Sequence, residues 1–206
     1  MPLNESTVIR PTLSEDNEEN QAKSPGSFLE KHLVESRTLL VFGPITDTLA
    51  RTCAERLFVM EAYDPDKPVT VLINSPGGSA DSGFAIYDML RFVRCPVRTI
   101  VNGLCASAGI LVHLAADKDD RFTLPESRFM IHQPSTAGRG TASDLDITAR
   151  EVLKLRERYV RIIAEATGQT DERVLEDARR DFWLNATEAQ EYGLAARVIS
   201  ARGDVD

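Results

Sequence analysis

The chain has 206 residues, of which 32 are acidic and 24 basic, and a net charge of −8 at pH 7. This length suits a single domain with a sizeable core, and the acidic balance argues against nucleic-acid binding, which needs Lys and Arg. No apolar run approaches the roughly 20 residues of a membrane span. The three cysteines have no metal-ligand spacing and leave an odd thiol, so a reducing, cytoplasmic environment and no metal site are predicted.

Residues 1–27 are predicted to form a flexible acidic tail. They include an acidic run at residues 15–20 and too few apolar side chains to bury. They lack the hydrophobic core of a secretory signal and are too acidic for an organelle leader. The globular domain is therefore expected over residues 28–206.

Strand and helix patterns alternate from residue 38 onward. Strands are predicted over residues 38–42, 69–73, 97–101, 121–124 and 128–132, and helices over residues 47–62, 82–93 and 107–116. Such alternation is typical of an α/β fold with a mostly parallel sheet covered by helices.

One long helix is predicted over residues 143–167, with Ser143 as N-cap and Gly168 at its end. Its length of about 37 Å approaches the diameter of about 43 Å expected for the whole chain, so it should project. Its apolar residues cover an arc of about 180°, wider than the roughly 100° that packing on one core requires. The surplus face is predicted to contact another subunit; deep burial in its own fold is the alternative.

Two further capped elements are predicted at the end of the chain. Thr170 begins a helix that runs to about Arg179. Thr187 and Gln190 fit a capping box, with Gly193 ending that helix before a strand over residues 194–199.

Ser107 lies among small residues (103–109, GLCASAG) where a predicted strand turns into a predicted helix. This geometry presents a hydroxyl on a tight bend at a helix N-terminus, as a nucleophile requires, although the spacing is not G-x-S-x-G. An N-capping serine is the alternative, since serine is common at such junctions.

A serine nucleophile needs a base, and the chain has three histidines. His132 ends an apolar strand that would hold its ring rigidly, with a satisfied core histidine as the alternative. His113 lies about 9 Å along the helix from Ser107 and about 120° around it, so it is interpreted as a packing residue. His32 is interpreted as a surface residue.

Asp181 is the candidate acceptor for the second ring nitrogen of His132. It precedes an apolar patch at residues 182–184 that is expected to shield its carboxylate from water. The pair Gly77 and Gly78 follows a predicted strand, and glycines let backbone N–H groups approach a ligand. The amides of Gly78 and Ala108 are candidates for holding a tetrahedral oxyanion; a plain turn is the alternative.

Four motifs together resemble the proteolytic subunit of the Clp protease, ClpP. They are residues 73–78 (INSPGG), 105–109 (CASAG), 129–134 (FMIHQP) and the stretch 180–194, which runs from RD through ATEA to YGL. The likeness covers roughly residues 28–200 in order, and the four motifs are far more specific together than any one alone.

The resemblance implies a serine endopeptidase that cleaves unfolded proteins and peptides by acyl transfer. By position, Ser107 would be the nucleophile, His132 the general base and Asp181 the orienting acid, with Gly78 and Ala108 as oxyanion amides. It also implies the crotonase-like α/β fold, a βαβ spiral with a projecting handle made of a strand and the long helix, over about residues 133–167.

The resemblance further implies a homo-oligomer of two stacked heptameric rings, with a ClpP paralogue as a possible second component. An AAA+ unfoldase such as ClpX, ClpA or ClpC would feed it substrates. The chain has no G-x-x-x-x-G-K-[ST] loop, so ATP would be used by that partner, and no cofactor is expected here. A docking pocket for the unfoldase would include Phe58, Leu72, Phe92 and Phe122.

Some segments depart from the pattern of the family. Residues 79–82 (SADS) replace an apolar, Thr-containing stretch beside the cleft, residues 135–140 lack an early glycine pair, and Arg179 stands where many relatives have an acid. A secondary isoform is one interpretation. The alternative function is a catalytically weak or regulatory ring subunit that partners an active paralogue; an acyl-thioester enzyme on the same fold would give His132 and Asp181 no role.

Overall fold

The structure is a computed structural model that describes residues 25–205. Its helices are α1 (Pro25–Glu35), α2 (Asp47–Tyr63), α3 (Ala80–Phe92), α4 (Ala108–Leu114), α5 (Ala142–Thr167), α6 (Asp171–Asp177) and α7 (Ala186–Tyr192). Its strands are β1 (Thr38–Phe42), β2 (Val69–Ser75), β3 (Val97–Ala106), β4 (Arg121–Thr123), β5 (Arg128–Ile131), β6 (Phe182–Asn185) and β7 (Arg197–Val198). Within residues 25–205, no helix is both long enough and apolar enough to cross a membrane.

The strands form one mostly parallel sheet. Strands β1, β2, β3, β4 and β7 lie side by side in that order, and each adjacent pair is parallel. Residues 99–101 of β3 pair with β4, whereas residues 104–106 pair with β5, so one long strand joins two parts of the sheet. Strand β6 is antiparallel to β5. The predicted α/β class with a mostly parallel sheet is confirmed.

The main core lies between one face of the sheet and the helices. Along β2, Val69, Val71 and Ile73 are buried, while Thr70 and Leu72 on the opposite face are partly exposed. This alternation follows from the pleat, which points successive side chains to opposite faces. Helices α2, α3 and α4 pack in sequence over the buried face, and α5 packs on α4. The apolar alternation of the strands therefore fixes which face the helices cover.

The N-terminus of α5 differs from the prediction. Its N-cap is Thr141 rather than Ser143, and the Thr141 hydroxyl accepts a hydrogen bond from the Asp144 N–H at 3.3 Å. The Asp144 carboxylate in turn accepts from the Thr141 N–H at 3.1 Å, which completes a capping box. The Thr141 hydroxyl also donates to the Asp144 carboxylate at 2.7 Å, and this bond, followed by the one from the Thr141 N–H, holds the pKa of the Asp144 carboxyl below its ordinary value. The predicted end at Gly168 is confirmed, in a left-handed conformation with φ 78°.

The two halves of α5 have different surroundings. Tyr159, Val160 and Ile163 in the second half are buried in the core, whereas Leu145 and Leu153 in the first half are 42% and 44% exposed in the single chain. The expected handle strand before α5 is not formed, since residues 132–141 make no β-ladder with any part of residues 25–205. The contact of α5 with another subunit stays a prediction.

Four further elements differ from the sequence predictions. Helix α1 begins at Pro25, within the predicted tail, whose residues 1–24 lie outside the described part of the chain. The capping box of α7 is formed by Asn185 and Glu188, two residues before the predicted pair, while its end at Gly193 is confirmed. The apolar patch at residues 182–184 is strand β6, and β7 is shorter than predicted.

Candidate active site

Ser107 stands at the bend between β3 and α4 in a conformation that L-residues rarely adopt. Its φ is 55° and its ψ is −122°, which costs about 1–3 kcal/mol unless surrounding contacts hold it. Its side chain makes no capping hydrogen bond to the helix, so the N-cap interpretation does not hold. Gly77 packs so close that a Cβ there would lie 2.6 Å from the Ser107 Cβ. Because the Ser107 hydroxyl does not cap the helix, it can face the cleft.

His132 follows directly on β5 and meets this hydroxyl. Strands β3 and β5 are paired as far as Ala106 and Met130, and the Ser107 N–H donates to the Met130 carbonyl at 2.9 Å. The side chains of Ser107 and His132 therefore lie at the same edge of the sheet. The His132 Nε2 lies 2.8 Å from the Ser107 Oγ. This is hydrogen-bonding distance for proton transfer from a hydroxyl to an imidazole.

Asp181 lies beside the other nitrogen of the same ring. Strands β5 and β6 are antiparallel with Ile131 opposite Phe182, so the next pair outward is His132 and Asp181. The Asp181 Oδ1 is 3.4 Å from the His132 Nδ1. The expected shielding is wrong in the single chain, since the Asp181 side chain is 62% exposed. Its apolar neighbours alternate along a strand and do not cover it.

Gly78 and Ala108 border the same cleft. The loop that carries Gly78 is held against Ile45, whose N–H donates to the Gly77 carbonyl at 2.8 Å and whose carbonyl accepts from the Ser79 N–H at 2.9 Å. A Cβ on Gly78 would collide with the Ile45 carbonyl, so this backbone path excludes a side chain. The N–H groups of Gly78 and Ala108 have no acceptor within residues 25–205, which leaves both open to a ligand.

The cleft around Ser107 has a volume of about 370 Å³. Phe84, Leu111 and Tyr159 give it an apolar wall. The SADS segment enters this wall only in part. Ser79, whose hydroxyl caps α3, and Ala80 both line the cleft, whereas the Ser82 hydroxyl points toward the Asp47 carboxylate, 2.5 Å from its Oδ1.

Tyr159 is a residue of the site that sequence reasoning missed. In the sequence, Tyr159 is one of the apolar residues of the long predicted helix, yet its hydroxyl donates to the Ser107 backbone carbonyl at 3.1 Å. No local pattern signals this contact, because the two residues are 52 positions apart in the chain.

The other histidines lie outside the site, as predicted. His113 is fully buried and packs on Phe129, with ring centroids 5.6 Å apart. Burial, followed by the positive charge of Arg121, lowers the pKa of His113 to about 3. His32 is exposed on α1 and stacks on Phe28.

The cysteines are poor competitors for the role of nucleophile. Burial raises the pKa of the Cys53 thiol to about 11 and raises that of Cys105, two residues before Ser107, even further above its ordinary value. Both stay as protonated thiols at neutral pH, which are unreactive compared with thiolates.

The four candidate docking residues do not form one exposed surface in the single chain. Phe58 and Phe92 are 49% and 73% exposed, but Phe122 is only 2% exposed. In the single chain, Phe122 therefore does not line an open pocket as predicted. Phe122 is buried with Val205 in a small cluster against which Leu72 packs, and the Arg197 guanidinium covers its ring at 4.9 Å. The end of the chain thus covers this part of the sheet.

A larger concavity of about 550 Å³ lies away from these residues, between α1 and the end of α2. Charged side chains line it, among them Arg37, whose guanidinium donates to the carbonyls of Met60, Lys67 and Pro68. Because these bonds tie the end of α2 to the loop that leads into β2, Arg37 has a structural role.

Comparison with known proteins now identifies the family. The sequence model of the Clp protease family matches residues 22–202. The chain belongs to the Clp protease family. A Rhizobium meliloti relative described as "ATP-dependent Clp protease proteolytic subunit 3" is 42% identical over 192 residues, which cover 93% of this chain and 98% of the relative. A Treponema pallidum "proteolytic subunit 2" is 47% identical over 178 residues, covering 86% and 89% of the two chains.

Solved structures agree with the Clp protease assignment. The structure of a point mutant of ClpP1 from Listeria monocytogenes matches with a TM-score of 0.81 and 40% sequence identity, and the match covers 86% of this chain and 99% of that one. The resemblance to ClpP stated from the four motifs is thereby confirmed, as is the ClpP-like fold.

Proposed function

We propose that this chain is a serine endopeptidase subunit that cleaves unfolded polypeptides by acyl transfer. The observation that carries the proposal is the 2.8 Å contact between the Ser107 Oγ and the His132 Nε2, with the Asp181 carboxylate at the other ring nitrogen. Membership of the Clp protease family supports it.

In the proposed mechanism, Ser107 attacks the carbonyl carbon of the peptide bond while His132 takes the hydroxyl proton at Nε2. Asp181 accepts a hydrogen bond from Nδ1, which fixes the tautomer and stabilises the imidazolium. The N–H groups of Gly78 and Ala108 donate to the oxyanion of the tetrahedral intermediate. His132 then passes its proton to the leaving amine, and water hydrolyses the acyl-enzyme by the same steps in reverse.

We also propose that the chain works as a particle of two stacked seven-membered rings. The apolar residues in the first half of α5, which this chain leaves exposed, support a contact with another subunit. An ATP-driven unfoldase such as ClpX, ClpA or ClpC would deliver substrates, and no cofactor of its own is proposed for this chain.

Replacing the nucleophile tests the proposed function. The Ser107→Ala variant should lose cleavage of a short fluorogenic peptide and labelling by a fluorophosphonate probe, while the particle mass stays that of the unmodified protein. Ser200→Ala, at an exposed serine far along the chain, is the control and should keep both activities. Turnover that persists without the Ser107 hydroxyl would remove this residue from the mechanism.

A second candidate is a subunit with little activity of its own that partners an active ClpP paralogue. The 3.4 Å separation and 62% exposure of Asp181 favour it, since a solvated carboxylate orients an imidazole less firmly. Probe labelling of the chain alone and then mixed with a paralogue separates the two: strong labelling alone supports the first proposal, and labelling only in the mixture supports the second.

A further inference from the structure

We propose that Tyr159 is a positioning residue for the oxyanion hole. Its hydroxyl, carried by the second half of α5, holds the Ser107–Ala108 peptide so that the Ala108 N–H faces the cleft. This inference rests on the proposed peptidase function, because it assigns the Ala108 N–H a role in binding the oxyanion.

The contact itself is well defined. The Tyr159 ring is 3% exposed, and its hydroxyl donates to the Ser107 carbonyl at 3.1 Å. Burial raises the pKa of Tyr159 well above its ordinary value, so the phenol keeps its proton across the neutral range and remains a donor. The same carbonyl also accepts the Ile110 N–H at 3.0 Å. Both bonds act on one oxygen atom.

The geometry of the peptide unit connects this oxygen to the cleft. The Ser107 carbonyl and the Ala108 N–H belong to one planar trans peptide, in which the C=O and N–H point in opposite directions. A bond that fixes the direction of the carbonyl therefore fixes the direction of the N–H. Hydrogen bonds in series also polarise one another, so a carbonyl that accepts two donors leaves its N–H a stronger donor.

The conformation of Ser107 explains why this peptide needs to be held. With φ 55° and ψ −122°, Ser107 differs mainly in ψ from the left-handed helical region, which has a lower conformational energy. Rotating the Ser107–Ala108 peptide toward that region would relieve the strain at Ser107. It would also break both bonds to the carbonyl and turn the Ala108 N–H away from the cleft. The Tyr159 bond comes from a different element and so opposes rotation independently of the first turn of α4.

Removing only the hydroxyl tests the proposal. Tyr159→Phe keeps the buried ring and should lower kcat for a short peptide by about 10- to 100-fold, bounded by the 10²–10³-fold cost of losing an oxyanion donor altogether. KM should stay within about twofold, because the Ala108 N–H is proposed to bind the oxyanion and not the substrate in its ground state. Affinity for a peptide aldehyde, which forms a tetrahedral adduct with the serine, should fall in parallel with kcat/KM.

A rescue variant separates positioning from packing. Tyr159→4-aminophenylalanine restores an N–H donor at the para position and should recover most of the lost kcat. If the Phe variant does not assemble, the amino variant can be compared directly with the unmodified protein. Tyr192→Phe is the matched control: it removes a hydroxyl that donates to the Asp177 carboxylate at 3.0 Å, away from the cleft, and should leave kcat within about twofold.

The outcomes distinguish this inference from the proposed function. An inactive unmodified protein counts against the proposed function. Activity in the unmodified protein that Tyr159→Phe retains within about twofold overturns only the role of Tyr159. A loss confined to KM, or an amino variant as slow as the Phe variant, likewise overturns it.

Discussion

At the scale of single residues, the site depends on side chains placed at the ends of strands. His132 and Asp181 each lie one residue beyond the last pair of the β5–β6 ladder, and Ser107 lies one residue beyond the β3–β5 ladder. Backbone pairing therefore aligns all three without a dedicated loop. The cost is the strained φ of Ser107, which the surrounding hydrogen bonds sustain.

His113 predicts how the stability of the fold depends on pH. Its pKa is lowered to about 3 in the folded chain from an ordinary 6.5, so between these values the unfolded chain binds a proton that the folded chain does not. Stability is therefore fully present above about pH 6.5 and falls as the pH drops, by up to about 1.4 kcal/mol per pH unit.

The measurement is the thermal midpoint at several pH values between about 4 and 7, at one protein concentration. His113→Leu, which fills the buried site without a titrating group, should flatten the decline toward low pH. His32→Leu, at an exposed position, should leave the slope unchanged. An equally steep decline in the His113 variant would contradict the assignment.

At the scale of elements, two helices begin at N-caps that lie two residues before the predicted ones. Thr141 with Asp144 and Asn185 with Glu188 form capping boxes there, in place of the predicted Ser143 and Thr187. In each case a suitable side chain occurs at both positions. The one used is the residue whose backbone is still extended, which local composition alone does not reveal.

The cap of α5 gives a paired prediction. Thr141→Ala should destabilise the first turn of α5 by about 1 kcal/mol, because it removes the acceptor for the Asp144 N–H. Ser143→Ala, inside the helix and exposed, should leave that turn as stable or slightly more so. The measurement is the rate of hydrogen exchange at the amides of residues 142–146 in the two variants. Faster exchange in the Ser143 variant would support Ser143 as the N-cap, as predicted from the sequence.

At the scale of the whole molecule, α5 extends beyond its own core. Leu145, Leu153, Val160 and Ile163 lie on one face of the helix at 100° per residue, yet only the last two are buried. A stripe that continues past the body of the chain is the surface on which we propose that another copy packs. The fold alone leaves this apolar area uncovered.

Charge placed on that stripe should prevent assembly. Leu153→Lys should yield a particle of lower mass, since a buried ammonium without a partner is costly at an interface. Glu151→Lys adds a lysine two residues away, about 200° around the helix, and should leave the mass unchanged. Native mass spectrometry of both variants gives the answer, and full-size particles from the Leu153 variant would rule out this face as the contact.

Local sequence by itself located strands β1 to β5, the C-terminal ends of α5 and α7, and the position of Ser107 at a strand-to-helix bend. These features depend on side-chain alternation, on glycine at helix ends and on small residues in tight turns, all of which act over a few positions. The four motifs were sufficient for the ClpP resemblance for the same reason.

Only the tertiary structure decided which distant groups come into contact and which side chains are exposed to solvent. The pairing of β5 with β6, the exposure of Asp181, the burial of Phe122 and the Tyr159 contact all depend on the path of the chain between the partners. The physical reason is that a hydrogen bond or a covered surface requires two segments to arrive together. That outcome is set by packing of the whole chain and not by the pattern of either segment.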